Sequence, residues 1–278
     1  MLLRELYFQI KDSFTKNGIT SLMEVDVIIE AVFGKVYHKL NPLLELKEDQ
    51  VIKVYTLVNK RIEGYPIQYI AKRWPFLDFE LEVGEGVLIP RPETQDVVEY
   101  ALKCINGIVS PTILDLCSGT GCIAIAAKRA REDANISAVE KYNEAFEYLL
   151  KNVKLLGLDI STIKDSVFGY DKKLEKESLD LIICNPPYVS KDEYSSLAKE
   201  LYSEPKVALT DNDDGLRFYR YISKEYATKL KSDGFLVFEI SGLKPNMVKD
   251  TIPNELYKNV LVLEDSFGND RILTAQKV

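Results

Sequence analysis

Two adjacent prolines, Pro186 and Pro187, stand at the end of an apolar run that begins at Leu179 and closes at Cys184. The run reads as a buried strand, and prolines, which lack N–H donors, cannot continue one. The chain must therefore turn out of a sheet at Asn185. Asn185 and Pro186 each precede a proline, which biases both toward extended backbone, and neither proline nitrogen can donate to nearby acceptors. Asn185-Pro186-Pro187-Tyr188 is thus a stiff corner with free acceptors, the Asn185 side-chain oxygen and the Pro186 carbonyl, beside the face of Tyr188. Such a corner suits a flat group carrying an NH2. Asn and Pro also make plain surface turns. Position favours the first reading, because open α/β sheets bind ligands outside the carboxyl ends of their strands.

The rest of the chain supports such a sheet. Residues 1 to about 75 read as helical: Leu2, Leu3, Leu6, Tyr7 and Ile10 share a face, and Ser21-Leu22-Met23-Glu24 has the spacing of a capping box before a helix reaching Phe33. A third helix is expected from about Lys47 to Ile62, with a short one after Pro66. The period then changes. Phe79, Leu81 and Val83 alternate with acidic residues, Gly84 and Gly86 punctuate, and Val87-Leu88-Ile89 follows, which predicts a hairpin over residues 76–92. From residue 93 helices and strands alternate: strands at 112–116, 136–139, near Thr162, 180–184 and 235–240, with helices at 122–131, 143–156, 216–230 and near 244–252. Two further strands, 259–264 and 271–276, end the chain. This order predicts a doubly wound, mostly parallel seven-stranded sheet with a terminal antiparallel hairpin, preceded by a small helical domain.

Composition removes several chemistries. His38 is the single histidine, which excludes Ser-His-Asp and Cys-His catalysis and a histidine-based metal centre. Cys104, Cys117, Cys122 and Cys184 have no Cys-x-x-Cys spacing and read as buried free thiols. A formal charge of −7 argues against a partner held mainly through phosphates. No run of about 18 apolar residues occurs and the amino terminus does not read as a signal, so a cytoplasmic protein is expected.

The turn Asp115-Leu116-Cys117-Ser118-Gly119-Thr120-Gly121 follows the first strand of the alternating region and opens a helix, so a ligand can approach its backbone closely. Gly119-x-Gly121-x-x-Ala124 also imitates a dinucleotide fingerprint. Electrostatics separates the two ligands. Asp115 at a strand end would oppose a pyrophosphate and attract the ammonium and sulfonium of S-adenosylmethionine. Glu140, closing the next strand, is then placed for ribose hydroxyls, and Asp165 after the third strand for the adenine amino group.

On these residues the chain resembles the class I S-adenosylmethionine-dependent methyltransferases that modify planar nitrogens. More closely, it is similar to the protein-(glutamine-N5) methyltransferases of peptide chain release factors, over nearly its whole length. The likeness lies in Arg61-x-x-Gly64-x-Pro66-x-x-Tyr69-Ile70, Leu88-Ile89-Pro90-Arg91-Pro92-Glu93-Thr94, the Asp115–Gly121 turn and Asn185-Pro186-Pro187-Tyr188. Glu204-Pro205-x-x-Ala208-Leu209, Asp214-Gly215-Leu216, Phe238-Glu239-Ile240 and Asn269-Asp270-Arg271 extend it. The resemblance implies that Cys117, Ser118, Gly119, Thr120 and Gly121 form the methionine and ribose turn, that Glu140 binds ribose, and that Asp165 with Ser166 edges the adenine. It implies that Asn185, Pro186, Pro187 and Tyr188 hold the substrate amide, with a release factor as partner. The chain departs from the family's commoner pattern at Cys117, Glu140, Ser166 and the stretch Ser241-Gly242-Leu243-Lys244, and Phe168 is a second candidate for the adenine contact. Two other readings stand beside this one: a methyltransferase acting on adenine N6 or guanine N2, which the acidic balance disfavours, and a non-catalytic S-adenosylmethionine sensor.

Overall fold

The computed structural model describes all residues, Met1 to Val278, and the chain divides into two compact units. The first comprises Met1–Trp74 with the short segments Val83–Glu85 and Ala198–Ser203. Its helices are α1 (Leu3–Lys16), α2 (Leu22–Phe33), α3 (Glu48–Ile62) and α4 (Ile67–Ala71). Apolar side chains recur every three or four residues in α1, so Leu3, Leu6, Ile10 and Phe14 fall on one buried stripe. They pack with Val25, Ile28 and Ile29 of α2 and Val54 and Val58 of α3. Each such burial contributes roughly 1.5–3 kcal/mol against the entropy of ordering the chain.

The expected capping box at α2 does not form. Ser21 occupies the N-cap position without a side-chain bond to the helix. The Glu24 carboxylate is instead taken by Arg61 of α3, whose Nε lies 2.5 Å from one oxygen and whose Nη2 lies 3.3 Å from the other. A charge-assisted fork outcompetes a return bond to a neutral amide. α2 ends on Gly34, at φ +71°, as its sequence leads one to expect.

The second unit comprises Pro75–Glu82, Gly86–Leu197 and Glu204–Val278. Its sheet contains β3 (Thr112–Leu116), β4 (Asn135–Glu140), β5 (Ser161–Lys164), β6 (Leu179–Cys184), β7 (Leu230–Glu239), β8 (Tyr257–Glu264) and β9 (Asp270–Lys277), in the order β5-β4-β3-β6-β7-β9-β8. The strands from β5 to β7 run parallel, and β9 and β8 close the edge antiparallel. Every residue of β6 is buried, which is why that strand reads as an unbroken apolar run rather than an alternating one. Strand order reverses between β3 and β6, the switch point at which such sheets open a crevice. Leu116 pairs there with Cys184, so the turn after β3 and the proline corner after β6 start side by side.

Three local expectations are corrected. The hairpin forms one step earlier in the chain: β1 (Arg73–Phe76) pairs with β2 (Phe79–Glu82), and residues 87–89 are not a strand. Val87 and Ile89 are nevertheless buried, and the Ile89 N–H is held by the Glu204 carboxylate at 2.9 Å. The single helix expected from 216 to 230 ends at Glu225 and is followed by a 3-10 turn at Ala227–Lys229. Finally, only Cys184 is buried, and the other three free thiols are partly exposed.

Candidate active site

The turn between β3 and α6 (Cys122–Ala130) is shaped by left-handed backbone: φ is +60° at Cys117, +54° at Gly119 and +83° at Gly121. At Gly121 the requirement is twofold, since a Cβ would stand 2.6 Å from Leu149 Cδ1 as well as suffer the backbone strain. Over Gly119 there is open space, with only Val87 Cγ2 at 3.9 Å. Cys117 accepts the strain that glycine would avoid, of order 1–2 kcal/mol.

The turn is tied down from two sides. Glu140, at the end of β4, accepts the Gly119 N–H on one oxygen at 3.0 Å and the N–H groups of Lys141 and Tyr142 on the other, both at 2.8 Å. Asn152 of α7 (Asn143–Leu156), fully buried, donates to the carbonyls of Thr120 and Glu82 and accepts the Glu82 N–H at 2.7 Å. Burial raises the Glu140 carboxyl above its ordinary value.

Asp115 lies beneath this turn, fully buried. One carboxylate oxygen accepts the Ala124 N–H at 3.3 Å, and the other has no partner. Burial pushes its carboxyl up to about 7. A buried acid with a bare oxygen is the complement of a cation, whose arrival would favour the ionised form. The donor set therefore fits S-adenosylmethionine: an acid for its positive end, an open glycine turn, and Glu140 at the second strand end.

A pocket opens above these residues and is lined by Cys117, Ser118, Gly119, Thr120, Cys122, Glu140, Asp165 and Ser166. Asp115 is not in the lining. Both Asp165 oxygens are engaged, one by Lys173 at 2.6 Å and one by the Ser166 N–H at 2.8 Å, and the Lys173 ammonium lowers its carboxyl from the usual value. Phe168, the second adenine candidate, also reaches the wall, with the Arg217 guanidinium 4.5 Å from its ring centre and Phe218 at 5.0 Å. The Arg217–Phe218 wall carries no sequence signal of its own. Its residues are adjacent in a helix whose other side is core, and only the fold brings them to Phe168.

At the proline corner, Asn185 and Pro187 line the pocket, whereas Pro186 and Tyr188 do not. Pro186 is buried and Tyr188 half-buried, with its phenol raised by burial. The corner is braced from behind by the loop at residues 209–217. Val189 donates to the Leu209 carbonyl at 2.9 Å, and Lys191 to that of Asp213 at 2.8 Å. The Asp211 carboxylate gathers the N–H groups of Asp213, Gly215 and Arg217. Gly215, at φ +83°, sits so close that a Cβ there would lie 2.4 Å from the Tyr188 carbonyl.

Two acids in this region have no role in the sequence reading. Glu204 holds the Ile89 N–H and forms an ion pair with Arg91, fixing residues 89–91 at the edge of the pocket. Glu239 closes β7 and is fully buried. The signal that could have found it is the one that found Asp115: a lone acid at the carboxyl end of an apolar strand, here Phe235-Leu236-Val237-Phe238-Glu239.

Comparison with known proteins agrees with this geometry. The family model described as Methyltransferase small domain matches residues 99–231. A release factor glutamine methyltransferase of Fusobacterium nucleatum is 34% identical over 269 residues, covering 94% of this chain and 75% of that protein. Its counterpart in Bacillus subtilis is 33% identical over 234 residues, covering 82% and 81%. Among solved structures, a methyltransferase from Pyrococcus furiosus superposes with a TM-score of 0.52 at 16% identity, covering 81% of this chain and 98% of that one, which shows a shared fold.

Proposed function

The chain belongs to the release factor glutamine methyltransferases, and from that premise we propose that it transfers a methyl group from S-adenosylmethionine to the side-chain amide nitrogen (N5) of the glutamine in the Gly-Gly-Gln motif of peptide chain release factors. The observation that carries the reading is the placement of Asn185 in the pocket wall, at the carboxyl end of β6 and beside the glycine turn of β3. S-adenosylmethionine supplies a methyl group on a positively charged sulfur. Asp115, Glu140, Asp165, Ser166 and the turn from Cys117 to Gly121 would hold it, with Phe168 covering the adenine.

The work left to the chain is orientation. An amide nitrogen is a weak nucleophile because its lone pair is shared with the carbonyl, as the ~18–20 kcal/mol rotation barrier of peptide bonds indicates. The Asn185 side-chain oxygen and the Pro186 carbonyl accept the two N–H bonds of the glutamine amide and fix its nitrogen toward the methyl donor. As positive charge develops on that nitrogen, both acceptors hold it more tightly, which is stabilisation confined to the transition state. Pro187 keeps the corner free of competing donors, and Tyr188 stiffens it. The residues of the helical unit, 1–75, grip the release factor, in the cytoplasm where translation termination takes place.

Purified protein, methyl-labelled S-adenosylmethionine and a release factor with its Gly-Gly-Gln glutamine intact or replaced by alanine test the assignment. Label on the intact factor alone is expected. Asn185→Ala should lose on the order of 100-fold or more in rate while retaining S-adenosylmethionine affinity. Label on DNA or RNA instead would transfer the assignment to nucleic-acid methylation, and equal loss of rate and affinity would make Asn185 a cofactor residue.

A further inference from the structure

Thr94 lines the pocket, yet its hydroxyl proton is committed elsewhere: Oγ1 donates to Oε2 of the buried Glu239 at 2.6 Å. Glu239 Oε1 has no partner, and its backbone carbonyl accepts the Tyr219 hydroxyl at 2.9 Å. Neither side chain takes part in the contacts of the glycine turn or the proline corner described above. A buried carboxylate is expensive to keep, and a threonine at the start of α5 (Glu93–Cys104) needs no acid behind it to form a helix.

A hydroxyl has one proton and two acceptor lone pairs. Once the proton points into the sheet toward a carboxylate, only lone pairs remain for the pocket. Thr94 is thereby converted from an ambivalent group into an acceptor. A pocket wall that can only accept favours an NH2 group and rejects a carbonyl or an ether oxygen.

We propose that Thr94 is a substrate-contacting residue that accepts an N–H bond of the target amide, and that Glu239 is the positioning residue that fixes it as an acceptor. The inference rests on the glutamine-amide reading of the site; because that amide has two N–H bonds for three acceptors, Thr94 shares one of them with Asn185 or the Pro186 carbonyl as a three-centre bond. It also links the corner to the terminal hairpin. The charged and titratable groups facing Glu239 are Arg91 and Glu93 before and at the start of α5, Cys122 at the start of α6, Tyr188 beyond the corner, Tyr219 in the helix at 217–225, and Arg271 on β9.

Burial holds the Glu239 carboxyl up at about 7. Below that pH the protonated acid can donate to the Thr94 oxygen, turn the threonine proton toward the pocket and set it against the substrate N–H. Methylation should therefore rise with pH across this range.

The test compares wild type with Thr94→Val, Thr94→Ser and Glu239→Gln. The readouts are kcat and KM for the intact release factor from pH 6 to 9, and S-adenosylmethionine affinity by calorimetry. Thr94→Val should lower kcat/KM by about tenfold, the size of one hydrogen bond to a polarised acceptor, with affinity for S-adenosylmethionine kept. Thr94→Ser should recover most of that loss. At saturating S-adenosylmethionine, where ionisation of Asp115 no longer limits binding, Glu239→Gln, whose amide also donates to Thr94, should remove the inflection in kcat near pH 7, which a packing role would leave in place. If Glu239→Gln fails to fold, the contrast between the valine and serine variants decides alone. A Thr94→Val enzyme within twofold of wild type overturns the proposal, as does one that loses S-adenosylmethionine affinity along with rate. A wild-type enzyme that labels no release factor would instead remove the underlying assignment, and this inference with it.

Discussion

Three buried acids of the parallel sheet, Asp180 at its amino end and Asp115 and Glu239 at its carboxyl end, are held in opposite ways. Asp180, near the amino end of β6, is buried and fully partnered: Lys231 Nζ lies 2.8 and 2.9 Å from its oxygens, and the Thr112 N–H donates to it at 2.8 Å. Asp115 and Glu239, at the carboxyl ends of β3 and β7, are more deeply buried and each leaves one oxygen bare. The first arrangement ties strand to strand and needs nothing from outside. The second is incomplete as it stands, at a cost of roughly 1–3 kcal/mol per unsatisfied group. An acid without a partner under a pocket is therefore informative in a way that an equally buried, partnered one is not.

The contrast is tested most strongly by pH. Asp115 and Glu239 are both raised to about 7 by burial, so the folded, ligand-free protein holds protons that the unfolded chain releases above the ordinary carboxylate range. Their contribution to stability is fully present below the unfolded pKa values and is lost as pH rises through 7. Urea unfolding should show a loss of about 2 kcal/mol per acid between pH 5 and 7, and Asp115→Asn or Glu239→Gln should each remove its share. A flat profile would mean that both acids are satisfied by groups other than those described.

Next in size is ligand affinity. Asp115→Asn should weaken S-adenosylmethionine binding at pH 8 by about 10–150-fold, the range of a hydrogen bond to a charged group. Binding to the wild type should strengthen from pH 6 to 8 as Asp115 ionises, and the asparagine variant should lose that slope in calorimetry. Equal affinities for the two proteins would remove the cationic ligand from this end of the sheet. The smallest effect is expected at the other end. Asp180→Ala should lower stability by about 1–2 kcal/mol, because Lys231 is partly exposed and regains water, while affinity stays within twofold. A change in affinity there would erase the distinction between the two ends.

What could be read from the sequence follows the same division. Strand order, the glycine turn and the proline corner were legible because each rests on local chemistry: an apolar run, missing N–H groups, positive φ. Asp115 was legible as a charge at a strand end. Glu239 stands at an equivalent place, but its partner Thr94 lies 145 residues away in sequence, and no local rule joins them. The hairpin was misplaced because the apolar residues at 87–89 look like strand while their backbone is held by Glu204 from a distant loop. The capping box at Ser21 failed for a similar reason, since Arg61 is 37 residues from Glu24. Long-range polar pairs decide these cases, and they have no period.

Gly215 has a bearing on how such an enzyme could be redirected. No side chain fits between it and the Tyr188 carbonyl, so the shape of the proline corner is set partly by a residue that offers the acceptor group nothing to touch. In a library selected for methylation of a new amine, position 215 is closed to variation even though it lies outside the pocket lining, whereas Val207 and Ala208, in the short helix Lys206–Leu209 that leads into its loop, reach the lining and are open. Changes of substrate taste must enter through those positions, and the loop can drift in sequence only around a fixed point that carries no chemistry of its own.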